Sequence, residues 1–133
     1  MIWNTEEIPD IDSQYLRIHK NNIRDGDVIP GAFRERGEGE DRGMSTDWSK
    51  YSTPIETRNR ARIPKDNGVL HFLTGDLRHF NLNVFHRPIQ NNPYIEDNRA
   101  HTNVKGLTTE VRLKLLSIFV CDIPPPVLTN FTC

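Results

Sequence analysis

Short runs in which apolar and polar residues alternate, broken by turn residues, dominate this chain. In Tyr15-Leu16-Arg17-Ile18-His19, an extended backbone sends Leu16 and Ile18 to one side and Arg17 and His19 to the other. Tyr15 to Lys20 is therefore predicted to be a strand. Asn21-Asn22 and Asp25-Gly26-Asp27 follow as turns, because Asn, Asp and Gly tolerate left-handed backbone. Val28 to Arg34 predicts a second extended segment, and Pro30-Gly31 within it implies an edge or a bulge. Val69 to Leu73, the alternating Leu82, Val84 and His86, and Ala100 to Lys105 predict three further strands.

Helix signals are fewer. Thr53, Pro54 and Glu56 stand at the N-cap, first and third helical positions of a capping box, and that helix must end before Pro64. Thr74-Gly75-Asp76 predicts a short capped helix carrying Leu77 and Phe80. Thr108 caps a longer one, with Val111, Leu115 and Ile118 on one stripe and Leu116 and Phe119 beside it. Ser45 or Thr46 is expected to cap a helical turn through Asp47, Trp48 and Tyr51. Gly37 to Gly43 reads as a mobile polar loop. Short strands mixed with short helices predict an α+β fold, a single domain with a small mixed or antiparallel sheet and two or three short helices. Residues 15–120 form that domain. Residues 1–14 are an arm docking through Trp3 and Ile8, and residues 121–133 a proline-rich tail.

At 133 residues, 35% of them apolar, the chain has material for one modest core. Seventeen basic side chains against eighteen acidic ones give no global field toward nucleic acid or an anionic membrane surface. No apolar run approaches the roughly 20 residues that span a bilayer, and the first residues lack a signal-peptide pattern. The two cysteines, Cys121 and Cys133, both lie near the C-terminus around Pro124-Pro125-Pro126. That usage suits a reducing cytoplasm, and the expectation is two unpaired thiols; one local bridge or a reactive terminal thiol is the alternative.

Five histidines, His19, His71, His79, His86 and His101, show no metal-ligand spacing, so no metal is expected. His71 and His86 sit in apolar strands as core-edge residues, and His79 beside Arg78 is solvated. Gly37 to Gly43 lacks a phosphate-cradle pattern and carries three acids, and no cofactor signature occurs elsewhere. Arg58, Arg60 and Arg62 read as a solvated helix face, without a nucleic-acid module around them. No Gly-x-Ser-x-Gly elbow is present. The sharper constellation is Arg17, His19, Ser45, Thr46 and His101. Histidine suits acid–base work near neutrality and arginine grips phosphate or carboxylate. If the first strand meets the Ala100 to Lys105 strand, His19 and His101 become candidate catalytic groups, with Arg17, Ser45 and Thr46 as ligand-binding candidates. The opposing expectation pairs Arg17 with Asp12 or Asp47 and leaves the histidines bonded to backbone.

In order, Leu16-Arg17-Ile18-His19, Asp25-Gly26, Ala32-Phe33, Met44-Ser45-Thr46-Asp47, Leu77-Arg78 and Ala100-His101 with Val104 and Gly106 resemble a family of small bacterial proteins of uncharacterised function. That resemblance spans roughly Ile8 to Phe119 and brings no catalytic residues with it. A weaker likeness runs to the ADP-ribosyltransferase superfamily, whose first-strand polar residue and later Ser-Thr strand bind NAD. There Arg17 or His19 and Ser45-Thr46 would take those parts, but no Glu-x-Glu catalytic glutamate follows. Two functions are thus expected. The leading one is a non-catalytic accessory module of a multi-gene system in the cytoplasm, bound to another protein. The alternative is a small enzyme acting on a nucleotide or other phosphate-bearing substrate through Arg17, His19 and His101.

Overall fold

The computed structural model describes residues 1–127, 131 and 133. Alternation along Ser13–His19 builds strand β1, with Gln14, Leu16 and Ile18 buried on one side and Tyr15, Arg17 and His19 on the other. Seven more strands follow in chain order: β2 (Ile23–Arg24), β3 (Asp27–Val28), β4 (Met44–Trp48), β5 (Asn67–Leu73), β6 (Asn83–His86), β7 (His101–Lys105) and β8 (Val120–Ile123). Three helices join them, α1 (Pro54–Asn59), α2 (Thr74–His79) and α3 (Thr109–Leu116). Six strands make one sheet in the order β6-β7-β4-β1-β5-β8, and every pairing is antiparallel. β2 and β3 form a separate hairpin. Its turn uses Asp25 at φ 52° and Gly26 at φ 83°, the left-handed pair that a two-residue hairpin loop needs. The chain is a single compact α+β domain, as its pattern predicts.

One side of the sheet is the core. Leu16, Ile18, Met44, Trp48, Leu70, Phe72, Val84 and Val104 pack with Ile8, Phe33, Leu77, Val111 and Leu115, and Ile118 is partly buried against them. Gln14, Thr46 and Thr74 are polar side chains sealed within this layer. Gln14 is fully buried, accepting from Thr46 Oγ1 at 2.8 Å and donating to Thr74 Oγ1 at 3.2 Å, so neither amide atom is stranded. The capping box at Thr53 and Glu56 forms as expected, and Thr108 caps α3.

Several expectations are corrected. Met44 to Trp48 is a central strand, not a capped helical turn: Ser45 and Thr46 meet β7 backbone across the sheet instead of capping amides of their own. Val28 to Arg34 is extended only at its start and then turns through Pro30–Ala32. Thr74 does not cap α2 with its side chain; its hydroxyl donates to the Asp12 carbonyl at 2.8 Å. α3 stops at Leu116, and β8 draws Cys121 into the sheet beside Leu70. The sheet thus takes residues from both flanking segments, Ser13 and Gln14 at one end and Cys121 to Ile123 at the other. The expected tail at 128–130 and 132 lies outside the described residues.

Cys121 and Cys133 are joined in a disulfide, not left as two unpaired thiols. Sequence spacing alone leaves that closure open. A disulfide persists in oxidising surroundings, so these cysteines no longer argue for the cytoplasm. No helix among the described residues is long and apolar enough to cross a membrane.

Candidate functional site

The second side of the sheet carries the polar residues of alternate positions. Cross-strand pairing sets His71, Tyr15, Asp47 and His101 in one row across β5, β1, β4 and β7. Ser45, Asn103 and Phe85 form the next row across β4, β7 and β6. The β1–β4 pairing ends at Tyr15 and Asp47, and Arg17, two residues on from Tyr15, faces the same side of the sheet, close enough for its charge to act on His101. Helix α1 closes part of this side. Its Thr57 is buried, and the Thr57 carbonyl accepts from Arg17 Nη1 at 3.1 Å. Over Ser45 the side stays open, and that serine is exposed.

Asp47 is the buried foundation of the row. It is 4% exposed, accepts from Arg60 Nη1 at 2.8 Å and from Asn98 Nδ2 at 2.9 Å, and so is both ion-paired and hydrogen-bonded. Arg60 also donates to Ser52 Oγ at 2.9 Å, and that hydroxyl meets Thr57 Oγ1 at 2.8 Å. Arg60 is therefore a structural cation, not part of a solvated helix face. Arg58 is likewise held, donating to the Pro64 carbonyl.

His101 is fixed at both nitrogens. Nδ1 lies 2.8 Å from the Arg87 carbonyl, which can only accept, so Nδ1 carries the proton. Nε2 is then an acceptor, and Ser45 Oγ stands 3.2 Å from it as donor. Ser45 and His101 are diagonal neighbours across β4 and β7, a spacing long side chains bridge. Burial holds the imidazole below its ordinary pKa. The Arg87 carbonyl and Asp47 oppose that shift, while the charges of Arg17 and Arg87 add to it. The result is a neutral imidazole at neutral pH with its free lone pair turned to a serine hydroxyl.

Arg17 pairs with neither Asp12 nor Asp47. Asp12 accepts from Trp48 Nε1, and Asp47 is taken by Arg60. Among the described residues Arg17 forms no ion pair with any carboxylate, and neither does Arg36. Arg17 is a water-facing side chain overall, yet atoms crowding its head pull its pKa below the ordinary value through desolvation. Asp47 opposes this, and Arg60 and Arg36 reinforce it. Arg17 thus feels two like charges and one carboxylate already paired with Arg60.

Three of the five expected site residues thus share one patch: Arg17, Ser45 and His101. His19 does not join them, because β4 separates β1 from β7 and His19 sits at the opposite end of β1 from Tyr15, accepting from the Asn21 amide. Thr46 points into the core, 2% exposed and bonded to Gln14, so it faces no ligand. His86 is buried between the Glu6 amide and the Arg99 carbonyl, and His71 pairs with Asp122 at 2.7 Å. Among the described residues no three His, Cys, Asp or Glu side chains gather as metal ligands would.

Beside Ser45 along its row lies an open hollow of about 310 Å³, lined by Glu40, Phe85, Arg87, Asn103 and Lys105. Phe85 is 50% exposed there. The glycine loop folds over one rim. Arg87 Nη2 bonds Asp41 Oδ1 at 2.8 Å, Asn103 donates to the Asp41 carbonyl, and Lys105 donates to the Glu40 carbonyl. Arg87, Arg60 and Phe85 were not legible as site residues, since each reaches the patch only through pairing distant in sequence. Compared with family models, curated proteins and solved structures, the chain shows no significant match to any of them.

Proposed function

We propose that the protein is a small enzyme acting on a nucleotide or other phosphate-bearing substrate. One observation carries this reading: a guanidinium without a carboxylate partner, Arg17, shares an open sheet face with the hydrogen-bonded Ser45–His101 pair. A planar guanidinium holds phosphate by two parallel hydrogen bonds, and a neutral imidazole on the same face is a ready general base. Phe85 supports a nucleotide in particular. It lies one row-neighbour beyond Asn103, two strands from Ser45 or roughly 10 Å, and its half-exposed ring offers a stacking surface for a base. Arg17 and Ser45 then hold the phosphate, His101 manages the proton, and the hollow takes the remainder.

Titration with nucleoside mono- and triphosphates, NAD and inorganic phosphate, read by melting temperature, tests the reading, because a ligand of the native state raises apparent stability. The expected result is a rise with at least one nucleotide that disappears in a folded Arg17→Ala variant. No rise across the panel overturns the enzyme reading in favour of the accessory module, whose partner is a protein.

A further inference from the structure

We propose that Ser45 is a nucleophile that takes the substrate's phosphoryl group covalently, with His101 as its base. The inference rests on the reading above and assigns a step that binding alone does not require. Three features of the geometry support it. Ser45 Oγ lies within hydrogen-bond reach of a base whose other nitrogen is oriented by a third group, here the Arg87 carbonyl, and that is the arrangement by which serine hydroxyls are activated. The hydroxyl is exposed, so an electrophile can approach it from solvent. Both residues stand on paired strands, Ser45 in β4 and His101 at the start of β7, which hold their separation more firmly than loops would.

The step balances without any further reagent. Ser45 Oγ attacks phosphorus, an Oγ–P bond forms, and the bond from phosphorus to the leaving oxygen breaks. The serine proton passes to His101 Nε2, and the imidazolium returns it to the leaving oxygen. Water then attacks the phosphoserine with Nε2 taking its proton. The P–Oγ bond breaks, and Ser45 recovers a proton from the imidazolium. Arg17, on the same side of the sheet and with its charge felt at His101, supplies positive charge for the phosphoryl oxygens.

A fluorophosphate ester probes the nucleophile directly, since attack forms the same Oγ–P bond and expels fluoride. The full chain is treated with diisopropyl fluorophosphate, and the modified serine is located by peptide mass mapping. Ser117 is an internal control, exposed like Ser45 but with its hydroxyl donating to the Lys114 carbonyl and no imidazole recorded at hydrogen-bond distance. Modification is expected at Ser45 well ahead of Ser117, and slower by about a hundredfold in His101→Gln. Equal modification of the two serines, or none at Ser45, overturns the proposal, and that comparison within the unaltered protein stands even if His101→Gln fails to fold. A Ser45 rate unchanged in a folded His101→Gln variant overturns it too. Nucleotide-induced stabilisation through Arg17 with Ser45 unreactive defeats the nucleophile while leaving the binding reading intact. Selective Ser45 modification without nucleotide stabilisation supports the nucleophile and removes the phosphate-bearing substrate.

Discussion

Asp47 and Arg60 meet at 2.8 Å beneath the open patch, the carboxylate side chain 6% exposed and the guanidinium 24%. The pair ties β4, the strand that carries Ser45 two residues before Asp47, to the C-terminal cap of helix α1, and so couples the packing of a short helix to the strand of the candidate nucleophile.

Removing one partner strands the other. Arg60→Ala leaves a buried carboxylate with only Asn98 to satisfy it, and is expected to cost about 3 kcal/mol of stability in urea unfolding. The double variant Asp47→Asn with Arg60→Gln is expected to recover part of that loss. A single-variant change below about 0.5 kcal/mol refutes the account.

The core assignment is checked at Leu115, which is fully buried between α3 and the sheet. Leu115→Ala is expected to lower the unfolding free energy by about 2–5 kcal/mol. An unchanged denaturation midpoint counts against it.

Acid is expected to weaken the fold through His101. Burial holds the folded imidazole below its unfolded value of 6.5, so across that window the unfolded chain binds a proton that the folded one does not. Stability is therefore greatest above 6.5 and falls as pH drops through the window. Urea melts across about pH 5 to 8 should show this decline, and a folded His101→Gln variant should lose that component of it. An identical pH dependence in the variant shows that His101 is not the group responsible.

The disulfide closes a span of twelve residues, and its reduction is expected to cost about 2–3 kcal/mol. The Cys121→Ser, Cys133→Ser variant should melt lower than the oxidised protein and be insensitive to reductant. Because Cys121 lies on the core side of β8, away from the patch, selective modification of Ser45 should survive reduction. Its loss would show that the tail positions the site.

What the sequence reveals follows how local each interaction is. The capping box at Thr53 and Glu56, the alternation of β1 and the Thr108 cap are satisfied within a few residues, and each is readable in order. Met44 to Trp48 misleads for the opposite reason. Thr46 and Asp47 are polar yet buried, and the groups that satisfy them, Gln14, Arg60 and Asn98, come from three separate segments. Locally, Ser-Thr-Asp resembles a helix cap. The same limit governs the site: Arg17, Ser45 and His101 are chemically conspicuous, but excluding His19 and Thr46 depends on β4 lying between β1 and β7 and on which way each residue faces. The Cys121–Cys133 bond likewise depends on the two cysteines meeting in space, which spacing does not encode.

Strand order also sets how fast this machinery comes into being. β4 finds one neighbour in residues 13–19 and the other in residues 101–105, and Ser45 and His101 are 56 positions apart. Such ladders must close long loops of chain before any pairing energy repays the lost entropy, which places refolding in roughly the millisecond-to-second range. The β2–β3 hairpin and the capped helices can form first, each from its own short stretch. The serine and imidazole meet only when the middle of the sheet zips, so gain of Ser45 reactivity during refolding would be a late clock for completion of the fold.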